Sequence, residues 1–290
     1  MTILIDTPTG NIGRSLASHL LDAGERVVLL ARDPSKVADL SARGARVVEG
    51  SLDDTKAVAR AFEGVTTAFW LTPPTLRPDF RAWAVGAATA AAKEAKKNGS
   101  RVVTLSSVGA HVEGNGPVSV VGAVEQTFRA ELADVLALRP AYFFENFLRD
   151  AATIAAQGVW YGPTPQDRPM PMVATKDIAK VAAEEVRAAW GGHRIRGIHG
   201  PVDVTMNDAA RAFSAALGRE VKYVEVPLQA ALDGMKQAGM PDFAVALYAE
   251  MLDGFVTGRT DPAEPRTPET TTSTTIAEFA RDVLKRALAG

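Results

Sequence analysis

The chain has no cysteine among its 290 residues, which excludes disulfides, thiolate nucleophiles and cysteine-ligated metal. It has no charge surplus either. Thirty-two basic residues stand against 34 acidic ones, net −2, so no overall field draws nucleic acid or an anionic membrane to it. No apolar run is long enough to span a bilayer, and the first residues form a strand with an early Asp6 where a signal segment would be basic and then apolar. Histidine is scarce: His193 and His199 lack the carboxylate or histidine spacing of a metal site, and His19 belongs to the surface of a helix. These absences lead us to expect a cytoplasmic protein that handles a small molecule, with no direct nucleic-acid or membrane partner and no metal. A homodimer or a regulatory protein partner is compatible with them. The remaining composition, 47% hydrophobic and 23% charged, is that of a globular chain able to bury a sizeable core.

What is present is an alternation of two periods. Apolar Ile3–Ile5 runs into a glycine-containing turn, after which Ile12, Leu16 and Leu20 recur at helical spacing up to Gly24. RVVLLA at 26–31 is the continuous apolar run of a strand buried on both faces. Asp33-Pro34 then caps a helix over 35–43, followed by a strand over 45–49, a helix introduced by Asp53 and Asp54, and a strand over 65–71. A long alanine-rich helix over 79–97, a strand over 101–105, a helix over 120–133 and a strand over 135–138 continue the rhythm. Strands alternating with helices at this spacing predict a doubly wound parallel sheet, the Rossmann arrangement. Residues 1–140 are expected to form this dinucleotide-binding domain, and 141–290 a smaller α+β substrate region interleaved with it. In the latter we expect a helix ending near Ala156, an irregular proline-rich loop over 161–171, a helix from Asp177, an isolated strand over 222–226 and an extended segment over 257–275. Thr275 and Glu278 have capping-box spacing for the last helix.

The stretch ILIDTPTGNIG, residues 3–13, carries the functional reading. A strand ending in such a turn presents backbone N–H groups and a helix N-terminus to a pyrophosphate. Thr7, Thr9, Gly10, Asn11, Ile12 and Gly13 are the expected contacts. Thr7 stands where a third glycine would complete the pattern, at an expected conformational cost, and Asp6 would repel phosphate if it pointed there. Arg32 follows the second strand at the position that reads the ribose, where arginine accepts a 2′-phosphate; Lys36 one turn later adds charge. NADP is therefore expected over NAD, with a chain that binds no dinucleotide as the alternative. Leu71, Thr72 and Pro73 leave the fourth strand at its carboxyl edge, where ligands bind, because two prolines stop the ladder.

With ARDPSK, GSLDD, LTPP, LSSVGA, AVEQTFRA, LRPAYFFENF, MPMVATKDIA and TTIAEFARD in register, the chain resembles the NmrA-like branch of atypical short-chain dehydrogenase/reductases over nearly its whole length. That family includes NAD(P)H-dependent reductases of quinones, triphenylmethane and azo compounds, and non-catalytic regulators that bind the dinucleotide. The resemblance implies that Asp53 borders the adenine and that Ser106 and Ser107 lie near nicotinamide and substrate. The family often has a histidine four residues before the glutamate of AVEQ; here that position is Val121, and no Tyr, Lys or His occurs over 118–133. Replacement acid/base candidates are His111, Tyr142, Glu145 and Asn146. Trp70, Trp83, Phe143, Phe144 and Phe147 either line an aromatic pocket or belong to the core. The leading expectation is an NADPH-dependent reductase that passes hydride to a small quinone, enone or aromatic acceptor. The alternatives are an NAD(P)-sensing regulator and a cofactor-free descendant with non-redox chemistry.

Overall fold

The computed structural model describes residues 1–288. The chain divides into two units: Met1–Ser107, Val120–Arg139 and Ile178–Arg196 form the first, and Val108–Ser119, Pro140–Asp177 and the residues from Gly197 onward form the second.

In chain order the elements begin with β1 (Thr2–Ile5), α1 (Asn11–Asp22), β2 (Arg26–Ala31), α2 (Ala38–Ala42), β3 (Arg46–Glu49), α3 (Thr55–Phe62), β4 (Thr67–Leu71), α4 (Phe80–Asn98) and β5 (Arg101–Leu105). Then come α5 (Pro117–Glu131), β6 (Val135–Pro140), β7 (Tyr142–Phe143), α6 (Ala151–Gln157), β8 (Val159–Gly162), β9 (Met170–Val173), α7 (Thr175–Arg187) and β10 (His193–Ile198). Seven strands join in the order β10-β6-β5-β4-β1-β2-β3. The neighbours from β3 across to β6 pair in parallel, with Ile3 opposite Val27 on one side and Thr67 on the other. This is the doubly wound sheet, and its order reverses between β1 and β4, the crevice where such sheets bind ligands. Ile3, Leu4 and Ile5 are wholly buried in its middle. Each such side chain contributes roughly 1.5–3 kcal/mol.

Two helices differ from the sequence reading. The one expected over 35–43 is a 3-10 turn, Pro34–Val37, followed by α2, because Asp33 takes both the N–H and the hydroxyl of Ser35 and tightens the first turn. Helix α5 begins at Pro117, three residues early, since a proline at the first helical position forfeits no intrahelical donor. Strand β10 adds a seventh strand to the main sheet from well beyond residue 140.

In the second unit β9 lies between β7 and β11 (Asp203–Val204), and β8 pairs in parallel with β12 (Lys222–Glu225). The proline-rich segment is thus bounded by two strands, and the strand near 222 is not isolated. Pro171 is tolerated in β9 because pairing with β7 begins one residue later, at Met172. Helices α8 (Met206–Leu217), α9 (Leu228–Gln237) and α10 (Asp242–Thr257) follow. The last of these escapes the sequence reading: DFAVALYAEMLDGFVT is apolar nearly all round, so it shows no 3.6-residue stripe. Thr275 and Glu278 form the anticipated capping box. Phe144, Phe147, Trp160, Phe213 and Phe279 form the core of this unit. Among the described residues no helix is long and apolar enough to cross a membrane.

Candidate functional site

The turn between β1 and α1 closes with Gly10 N–H donating to Thr7 O at 3.3 Å, and the first intrahelical bond runs from Arg14 N–H to Gly10 O at 2.9 Å. The N–H groups of Asn11, Ile12 and Gly13 therefore precede the helical ladder. No side chain caps them, and no acidic residue stands in the first turn. Thr9, Gly10 and Asn11 are exposed. Gly13 is required by close packing, because a Cβ there would lie 2.1 Å from Thr7 O; only glycine lets the helix rest on the turn. A Cβ at Gly10 would meet the same oxygen at an ordinary 3.8 Å. Two expectations are corrected. Among the described residues none other than glycine has positive φ, so Thr7 imposes no backbone strain. Asp6 does not act on the turn as an exposed charge: it is buried, and both its oxygens accept the Leu71 N–H of β4, at 3.0 and 3.1 Å. Burial pushes its carboxyl well above the usual carboxylate range, against the lowering effect of the Leu71 and Thr7 hydrogen bonds.

At the end of β2, Arg32 and Lys36 are exposed, and neither makes a side-chain hydrogen bond or close ion pair among the described residues. Asp33 is held below the usual range by the Ser35 hydroxyl and N–H, with a smaller effect from Lys36. Arg14 of α1 fastens the segment, bonding Lys36 O and pairing with Asp39 at 2.8 Å. After β3, the Ser51 hydroxyl donates to Asp53 at 2.6 Å and is the main reason that this carboxyl sits low. Arg77, lying over the Trp83 ring at 5.1 Å, reaches Asp53 at 3.8 Å and ties the segment after β4 to that carboxylate. Leu71 and Pro73 are half-buried; Thr72 is buried, and its hydroxyl has no partner.

The carboxyl end of β5 is built differently. Ser106 is buried, and its hydroxyl donates to Glu125 Oε2 at 3.0 Å. Glu125 is 0% exposed on α5 and is gripped by Arg139 of β6, Nε to Oε2 at 3.1 Å and Nη2 to Oε1 at 2.9 Å; Arg129 reaches Oε1 at 3.2 Å. Ser107 beside it is half-buried, and its hydroxyl makes no hydrogen bond among the described residues. In the sequence Glu125 stands out only as the landmark of AVEQ, and Arg139 only as the start of Arg-Pro. A lone carboxylate among Val120, Val124 and Phe128, and a lone guanidinium at the end of a buried strand, are the signals that could have found them.

The remaining acid/base candidates lie in the second unit. His111 is exposed in the loop before α5. Tyr142 packs edge-on against Phe147 and Phe255, and burial pushes its phenol up to about 12, which keeps it protonated. Glu145 accepts the Thr175 N–H at 3.0 Å, an end cap for α7, and Asn146 is half-buried. Of the aromatic residues, Trp70, Phe144 and Phe147 are core; Phe143 and Trp83 are half-buried.

A model of the NmrA-like family matches residues 1–252. The chain belongs to the NmrA-like family. This NmrA-like chain is 28% identical over 286 residues to the NAD(P)H azoreductase of Xenophilus azovorans, covering 96% of both. Over 247 residues it is 29% identical to the (4-alkanoyl-5-oxo-2,5-dihydrofuran-3-yl)methyl phosphate reductase of Streptomyces griseus, covering 84% of both. Its fold matches that of an NADPH-dependent quinone oxidoreductase from Escherichia coli, solved with NADPH, at TM-score 0.83 and 20% identity over 97% of this chain and 98% of that one.

Proposed function

We propose that this protein is an NADPH-dependent reductase that passes hydride to a small quinone, enone or related aromatic acceptor. The observation that carries the reading is the pairing of an uncapped α1 N-terminus with two cations, Arg32 and Lys36, that make no side-chain hydrogen bond or close ion pair among the described residues. Three unmatched N–H groups and the helix dipole suit a pyrophosphate, and two unspent positive charges at the end of β2 suit a 2′-phosphate. Thr7, Thr9, Gly10, Asn11, Ile12 and Gly13 would hold the first, Arg32 and Lys36 the second. Asp53 would border the adenine, Leu71–Pro73 would line the crevice at the end of β4, and Ser106 and Ser107 would lie at the nicotinamide half. The bound dinucleotide supplies hydride. The azoreductase and furanone reductase relatives support that chemistry.

What the chain's own residues supply is orientation. Val121 has no proton to exchange, Tyr142 keeps its own, and Ser107 offers a hydroxyl without a base. Easily reduced acceptors fit such a site. The test is calorimetric titration with NADPH and NADH, then NADPH oxidation over a panel of quinones, enones and azo dyes. Tighter binding of NADPH and turnover of at least one acceptor are expected. Proven NADPH binding with no oxidation across the panel would leave the regulator reading, which the missing acid/base on α5 favours. No binding of either dinucleotide would remove both.

A further inference from the structure

We infer that Glu125 is a positioning residue that locks Ser106 as a hydrogen-bond acceptor, so that this edge of the site recognises the N–H of the nicotinamide carboxamide. The inference rests on the NADPH reading above and refines it.

A serine hydroxyl has one proton and two lone pairs. The proton of Ser106 is committed to Glu125, because a carboxylate ion-paired to Arg139 only accepts. The arrangement has no slack. Glu125 Oε2 receives Ser106 and Arg139 Nε, Oε1 receives Arg139 Nη2 and Arg129, and the wholly buried side chain is shielded from bulk solvent. Turning the hydroxyl away would leave a buried carboxylate lone pair unmet, a change that costs more than an ordinary hydrogen bond returns. The Ser106 backbone is equally held, its N–H donating to Leu138 O at 2.7 Å. Ser106 therefore has lone pairs, and only lone pairs, left to offer.

Strand order says which end of a dinucleotide reaches it. In a doubly wound sheet the β1–β3 half takes the adenosine side and the β4–β6 half the nicotinamide side, and Ser106 ends β5. At that end the carboxamide carries N–H donors, whereas a quinone or enone presents carbonyl oxygens that only accept. Ser106 matches the first and mismatches the second. Ser107, whose hydroxyl is unbonded, is the residue left to donate to the acceptor's carbonyl.

The test compares NADPH with its 3-acetylpyridine analogue, in which a methyl replaces the carboxamide nitrogen, by calorimetric binding to the wild type, Ser106→Ala, Ser106→Thr and Glu125→Gln. The wild type should prefer NADPH by about tenfold, one hydrogen bond's worth. Ser106→Ala should bring the two affinities level, and Ser106→Thr should keep the preference. Glu125→Gln should shrink it, because the new amide can donate to Ser106 and free its proton. A purely structural defect would weaken both ligands alike and leave the ratio unchanged. A wild-type ratio near one, or a full preference retained in Ser106→Ala, overturns the inference while the NADPH reading stands; that second outcome holds even if Glu125→Gln fails to fold. A wild type that binds neither ligand sinks both.

Discussion

Along the carboxyl edge of the main sheet, the β1–β2 end presents N–H groups and cations that no side chain among the described residues hydrogen-bonds or closely pairs, whereas at the β5–β6 end Ser106, Glu125, Arg129 and Arg139 bond one another. The contrast separates two ways of making a site. Unspent groups attract a charged ligand and tolerate its approach from solvent. A saturated buried network attracts little, but it fixes the orientation and hydrogen-bonding sense of the hydroxyl it holds. Asp6 is the seam between the halves, since it joins the end of β1 to Leu71 of β4.

Breaking the saturated end should have the largest effect. Glu125→Leu removes the carboxylate that Arg139 and Arg129 both grip, and breaking a buried ion pair by deleting one partner costs about 3–5 kcal/mol, read as a lower urea midpoint. Next is the open end's one rigid point. Gly13→Ala must displace Thr7 O from 2.1 Å and should lose roughly 1–3 kcal/mol, while Gly10→Ala changes stability little; comparable losses in the two would refute the packing role. The seam makes itself felt through pH. Because the folded pKa of Asp6 is raised, its contribution is intact below the usual carboxylate pKa and is lost as pH rises toward the folded value. The slope is at most about 1.4 kcal/mol per pH unit for one proton. Asp6→Asn should flatten that slope in urea titrations across acidic to neutral pH.

Arg32→Ser should weaken NADPH about tenfold and leave NADH unchanged, as expected for loss of one charge-assisted contact to a 2′-phosphate. Equal losses for both dinucleotides would place Arg32 elsewhere. The smallest effect should come from the cap of α3. Asp54 accepts the N–H groups of Lys56 and Ala57 at the start of α3, and Asp54→Ala should cost about 1 kcal/mol with cofactor affinity unaltered.

Most of the sheet is legible in the residues because its signals are local. RVVLLA needs only its own composition to read as a doubly buried strand, and Asp33-Pro34 or Thr275 with Glu278 signal helix starts within four residues. The errors fall where that locality fails. Helix α10 has no polar face to give it a period, and the strand read at 222–226 finds a partner at 159–162, 63 positions away in sequence, that the reading missed. Thr7 looks costly in the sequence because a missing glycine suggests a left-handed residue there, and the turn is built without one.

By itself, the sequence determined the alternation of elements, the uncapped helix start after β1 and the cations after β2, all of which depend on neighbours along the chain. Tertiary structure decided where the buried charges point. Asp6 reaches a backbone amide 65 residues away, and Ser106 surrenders its proton to a carboxylate 19 residues on. The reason is physical: burial makes each such group seek a partner, and only the packed fold says which partner is within about 3 Å.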